Sequence, residues 1–193
     1  MERSLGGIRI IDMTHNQAGP ACTQILAFLG ADVIKLEEPK GGDVARRNMA
    51  DEHGDSLFFL VLNANKRSLP LNLKTDDGKR LFKQLVAESD VLVENFSPGA
   101  LDRMGLGYET LKEINSGLIY ATIKGFGTFG PYSEFKSFEP IAQAMGGAMG
   151  ALLSLSGLAG LGVLVGLAMY LPLMYLLPYG ICLLYTSPRP RDH

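Results

Sequence analysis

Three short polar clusters interrupt otherwise apolar stretches of the chain: His15-Asn16-Gln17, Glu94-Asn95-Phe96-Ser97 and Lys124-Gly125-Phe126-Gly127. Each follows a run of β-forming residues, which is where doubly wound sheets hold their ligands. The chemistry open to them is ligand binding in one shared crevice. A plainer role is equally open, in which Asn95 and Ser97 only cap a helix. None of the clusters is a GxGxxG or Walker sequence, so dinucleotide and P-loop chemistry have no support. Cys22 and Cys182 are too few and too far apart for a disulfide framework or a zinc site. His53 lies in a polar loop and is expected to be solvated.

The elements that must position these clusters alternate between strand and helix. Residues 8–13 form a short β-rich run, Pro20 suits a first helical position, and Ala21 to Leu29 keep helical spacing. Gly30 suits the C-terminal cap, and Ala31 to Leu36 form a second strand. From Gly41 the chain turns polar and irregular. Ser68 to Leu73 is extended, with Pro70 arguing for a sheet edge. Thr75 can cap a helix that has Asp76 and Asp77 in its first turn and Leu81, Phe82, Leu85 and Val86 as its buried stripe. Val91-Leu92-Val93 is a buried strand, Ser97-Pro98 opens a short helix, Tyr108 to Asn115 is a further helix and Leu118 to Ile123 a further strand. The pattern predicts an α/β fold with a doubly wound, mostly parallel sheet.

The 193 residues carry a net charge of −2 and a pI near 5.9, which gives no electrostatic case for nucleic acid or an anionic membrane. The start MERSLGGIRI has neither an apolar signal run nor an Arg-rich presequence, so a cytoplasmic protein is expected. Charge is spread evenly as far as Glu139 and then stops. Residues 140–188 hold no Asp, Glu, Lys or Arg, and only Arg189, Arg191 and Asp192 follow.

The string from Asp90 to Gly105, DVLVENFSPGALDRMG, closely resembles class III coenzyme A transferases, the family of formyl-CoA and carnitine CoA-transferases. Four other stretches agree: Asp12 to His15 with Gln17 to Pro20, Gly30 to Lys35 with Glu37 and Pro39, Asn65 to Ser68 with Leu71 to Lys74, and Lys124 to Gly127 with Gly130 to Tyr132. The resemblance runs from about Leu5 to Gly150 and is nearest to the formyl-CoA type. It implies a site for acyl-CoA as substrate, with a small carboxylic acid as co-substrate and no tightly bound cofactor. Gln17 and Ala18 would lie beside the thioester. Leu71, Asn72, Leu73 and Lys74 would flank the nucleotide and pantetheine. Asn95, Phe96 and Ser97 would supply backbone donors and an aromatic face. Arg103 and Lys136 would meet phosphate, and Ser137, Phe138 and Glu139 would complete the wall. Each has a structural alternative: Lys74 and Lys136 as solvated charges, Phe96 as core, Arg103 paired with Asp102 or Glu94. Glu38 stands where formyl-CoA transferases have an arginine, and a carboxylate cannot bind phosphate.

The resemblance also implies an aspartate nucleophile, which attacks the acyl-CoA to give a mixed anhydride and then an aspartyl thioester. It should follow a glycine shortly after the pair Gly146-Gly147, and no Asp or Glu occurs there. The related racemases need a histidine where this chain has Phe138, which cannot act as a base. The expectation is therefore an amino-terminal part of a transferase large domain (residues 1–150) with a binding wall and no catalyst. The full family forms an interlocked homodimer, which such a part is not expected to form. Residues 151–193 have three readings: translated adapter sequence after a frame change near Gly150, a membrane span over Ala151–Leu171, or a pair of buried helices divided by Pro172.

Overall fold

The computed structural model describes residues 3–148. These fall into two units, one ending at Ile123 and the other starting at Lys124.

In the first unit, β1 (Arg9–Asp12), β2 (Asp32–Glu37), β3 (Arg67–Pro70), β4 (Val91–Glu94) and β5 (Ile119–Thr122) form one sheet. Every neighbouring pair is parallel, in the order β3-β2-β1-β4-β5. The crossovers carry α1 (Ala18–Phe28), α2 (Leu57–Asn63), α3 (Asp76–Ala87), α4 (Ala100–Arg103) and α5 (Tyr108–Ile114). Strand order reverses between β1 and β4, which places a switch point there.

Alternation along the strands sends successive side chains to opposite faces, and both faces are covered. Ile11, Met13, Leu36 and Leu92 pack with Phe82 and Val86 of α3, Leu101 of α4, and Leu106 and Leu111. On the other face, Ile10, Val33, Val93 and Ala121 pack with Ala27 of α1 and Ala31. Each fully buried Val, Leu, Ile, Phe or Met side chain among them contributes about 1.5–3 kcal/mol.

Pro70 does lie on an edge strand, where its missing N–H costs nothing to the ladder. Thr75 caps α3 by accepting from Gly78 N–H at 3.1 Å, with Asp76 and Asp77 in the first turn. Two expectations need correction. The stripe of α3 is narrower than its sequence suggests: Phe82 and Val86 are buried, Leu85 is partly so, and Leu81 faces solvent. The irregular segment after Gly41 also hides structure. Asp43 caps a 3-10 turn over Val44–Arg47, and Ser56 caps α2 by accepting from Phe59 N–H at 3.0 Å.

The second unit contains α6 (Glu139–Met145), preceded by a cluster of rings in which Tyr132 and Phe135 lie 5.4 Å apart and Phe126 lies 5.7 Å from Tyr132. Among the described residues no helix is long and apolar enough to cross a membrane, and the stretch Ala151–Leu171 lies outside them.

Candidate functional site at the carboxyl edge of the sheet

Because all five strands are parallel, the residues that follow them emerge along one edge. Gln17 and Ala18 follow β1 and open α1, Leu71 to Lys74 follow β3, and Asn95 to Ser97 follow β4. From β3 to β4 this edge spans three strand spacings, roughly 14 Å. Arg103, on α4, is exposed, and its guanidinium donates to the Pro98 carbonyl at 3.2 Å. It does not pair with Asp102 or Glu94. Glu94 instead accepts from Phe96 N–H at 2.8 Å and from the Thr122 hydroxyl.

Asn95 does not cap a helix. Its Oδ1 accepts from His15 N–H at 2.9 Å, and its Nδ2 donates to the His15 carbonyl at 2.9 Å. One side chain thus satisfies both backbone groups of a residue 80 positions away and ties the loops after β1 and β4 together at the switch point. Ser97 is no cap either, since Gly99 holds that position in a left-handed conformation. Phe96 takes an intermediate role, half-buried against the core and meeting the His15 ring edge-on at 5.2 Å.

Leu71 and Leu73 are half-buried and pack on the core. Asn72 Oδ1 accepts from Lys74 N–H at 3.0 Å, shaping a turn that leaves Lys74 exposed. That turn sits directly on α3: a Cβ added to Gly78 would lie 1.8 Å from the Asn72 carbonyl oxygen. Gly19 makes a similar approach at the start of α1, where a Cβ would fall 2.2 Å from the Thr14 Cβ. Glu38 is exposed and accepts from Lys40 N–H at 3.0 Å.

Lys136, Ser137 and Phe138 belong to the second unit, as do Lys124 to Gly127. Lys136 and Phe138 are exposed, Phe138 to 69%, and Ser137 is half-buried against Gly125. Glu139 is the first residue of α6.

Beneath the loops lies a group of buried charges that the sequence reading passed over. Lys66, its side chain 1% exposed, places Nζ 2.9 Å from Asp12 Oδ2, 2.9 Å from the Pro20 carbonyl and 3.0 Å from Asn63 Oδ1. Asp12 also accepts from Thr14 N–H and Oγ1 and from Thr23 Oγ1. Lys35 joins Asp43 Oδ2 at 3.0 Å and the Thr14 carbonyl at 2.7 Å. Glu37 accepts from Arg46 at 2.6 Å and from Ser68 at 2.8 Å, while Arg46 lies 3.8 Å over the Phe59 ring.

Burial opposes charge on Asp12, but Lys35, Lys66 and the two threonine hydroxyls outweigh it and hold the carboxyl below its ordinary value. Burial likewise opposes charge on Asp43, and His15, Lys35 and the Ala45 and Asn16 N–H groups take its carboxyl far below the usual range. For Glu37, Arg46, Ser68 and Asp43 N–H prevail over burial in the same way. The cluster is therefore a fixed set of opposite charges under the floor of the edge. One signal was available: Asp12 and Lys35 sit within apolar strand runs, where unpaired charge is not tolerated.

The model for CoA-transferase family III matches residues 5–169. A formyl-CoA:oxalate CoA-transferase from Streptomyces avermitilis is 55% identical over 150 residues, covering 77% of this chain and 36% of that protein. Its counterpart from Escherichia coli (strain CFT073) is 51% identical over 149 residues, again covering 77% and 36%. The chain thus spans about a third of the length of the curated relatives it matches. Among solved structures, a CAIB/BAIF family protein from Brucella suis superposes with a TM-score of 0.71 at 42% identity, covering 76% of this chain and 40% of that one. A hypothetical protein from Mycobacterium tuberculosis gives 0.70 at 36% identity, with 76% and 40% covered. With more than half its residues matched by the family model, and with this fold, the chain belongs to CoA-transferase family III.

Proposed function

We propose that this chain binds the CoA thioester of a formyl-CoA:oxalate-type transferase at the carboxyl edge of its sheet. The reaction served would move CoA from a formyl- or succinyl-type donor to a small carboxylic acid through an aspartyl intermediate. The observation that supports the reading is the junction at the switch point, where Asn95 bonds both backbone groups of His15 and ties the loop that leads to Gln17 and Ala18 to the loop that carries Phe96 and Ser97. The names of the relatives from Streptomyces and Escherichia coli support the substrate class.

In this reading Gln17 holds an oxygen at the thioester end, and Ala18 leaves room for it. Leu71 to Lys74 lie along the pantetheine and nucleotide, Arg103 and Lys136 meet phosphate, and Ser137, Phe138 and Glu139 close the wall. The covalent step needs a carboxylate after Gly146-Gly147, and residues 140–188 contain none. Residues 1–150 therefore supply binding, no carboxylate stands where the nucleophile is needed, and the chain alone transfers no CoA.

Calorimetric titration with CoA tests the binding arm. We expect saturable binding that weakens about tenfold or more in Arg103→Ala, as loss of a charge-assisted phosphate contact should do. Absence of binding by the unaltered chain would sink the reading. Transfer of CoA from formyl-CoA to oxalate, with a hydroxylamine-sensitive adduct, would sink the second part.

A further inference from the structure

The binding reading uses the backbone of His15 but leaves its imidazole without a task. We propose that His15 is a proton-accepting residue that binds the carboxylate of a carboxylate-bearing acyl-CoA, with Asp43 setting its tautomer. The proposal rests on the CoA-thioester reading above.

Four observations support it. His15 follows β1 at the switch point, and Asn95 fixes both its N–H and its carbonyl, so the side chain leaves a rigid base. The ring stands edge-on to Phe96 at 5.2 Å and 76°, which limits its rotation. Its Nδ1 is buried without a hydrogen bond and lies 3.7 Å from Asp43 Oδ1. The side chain remains 26% exposed, so part of the ring reaches solvent at the carboxyl edge.

A buried ring nitrogen that faces a carboxylate is best occupied by N–H. A proton on Nδ1 leaves the lone pair on Nε2. Taking a proton from solvent there produces an imidazolium whose inner edge faces Asp43 and whose outer edge can pair with an anion. Asp43 is already matched by Lys35 at 3.0 Å, and its Oδ1 accepts from Asn16 and Ala45 N–H at 3.0 Å each. The positive charge gained by His15 therefore remains available to a ligand. Asn95 and Phe96, which approach from the loop after β4, are uncharged, and Asp43, from the loop after β2, is the charged group that faces the ring.

The test is calorimetry of the 193-residue chain with CoA, acetyl-CoA and succinyl-CoA, the last bearing a free carboxylate, in two buffers of different ionisation enthalpy. We expect succinyl-CoA to bind with net proton uptake, and acetyl-CoA to bind with little. His15→Ala should weaken succinyl-CoA by roughly tenfold more than it weakens acetyl-CoA or CoA, as loss of one charge-assisted contact does. His15→Gln keeps a polar side chain that cannot take up the proton, so uptake should vanish there too. It serves as the test if the alanine variant melts early. Uptake that persists in His15→Gln, no uptake in the unaltered chain, or equal weakening of succinyl- and acetyl-CoA would overturn the inference while the CoA reading stood. Failure of the unaltered chain to bind any thioester would overturn both.

Discussion

The two ends of the sheet both carry ion pairs, and they are of different kinds. At the amino ends of the strands, Arg9, Asp32, Arg67 and Glu88 form an exposed set, with Arg67 on Asp32 at 2.6 Å and Arg9 on Asp32 at 3.2 Å. At the carboxyl ends, Asp12–Lys66 and Lys35–Asp43 are sealed from water. Water and salt screen the first set, so it contributes little to stability. The second has no solvent to fall back on, and each member depends on its partner. Lys66 and Arg67 are consecutive cations in the sequence, yet they belong to opposite classes because the chain turns into β3 between them. Which carboxylate the side chain reaches, buried Asp12 or partly exposed Asp32, decides what a charge is worth here.

Separating the two classes by mutation should give the largest contrast first. Lys66→Met strands the Asp12 carboxylate and should cost about 3–5 kcal/mol, read from denaturant midpoints. Acid comes next. The folded carboxyls of Asp12, Asp43 and Glu37 titrate below their ordinary values of 3.8, 3.8 and 4.5. Their contribution is therefore fully present above those values and is lost as pH falls through the depressed ones. A melting-temperature profile should be flat near neutrality and drop steeply below about pH 4; a profile that declines from pH 6 would contradict it. Gly19→Ala forces a methyl into Thr14 at the start of α1 and should cost about 1–3 kcal/mol, while also weakening CoA. Asn95→Ala leaves both His15 backbone groups without their partner and should cost about 1–3 kcal/mol, with faster hydrogen exchange at His15 as its signature. Arg67→Met, at the exposed end, should move the midpoint by less than about 1 kcal/mol, and less again in high salt. A loss as large as that of Lys66→Met would erase the distinction.

Much of the fold was legible because its signals are local. Apolar runs at β1, β2 and β4, the cap at Thr75 and the proline at the edge each act within a few residues of themselves. The helix α2 was not legible: it is short, lies between polar turns, and its run Leu57 to Leu62 is apolar on every side, so no helical period announced it. The carboxyl edge that holds the candidate residues followed from the parallel sheet, but the contacts between its loops did not. That Asn95 holds His15 rather than a helix depends on two loops meeting across 80 residues. A lysine on the chain likewise says nothing of whether it will be solvated like Lys74 or enclosed like Lys66.

The strand order has a consequence for how the protein is made. Strands β1, β2 and β3 are complete once residue 70 has been synthesised, but the far side of β1 stays open until β4 arrives. A nascent chain must therefore carry an unpaired central edge through about 20 further residues, a few seconds at ordinary elongation rates. During that interval Ile10 and Ile11 have backbone groups to offer any passing strand. The amide of Asn95 emerges directly behind β4, so the residue that fixes the site also latches the last interior edge. Ribosome-bound chains stopped before residue 91 should engage chaperones, and those extended past residue 123 should release them.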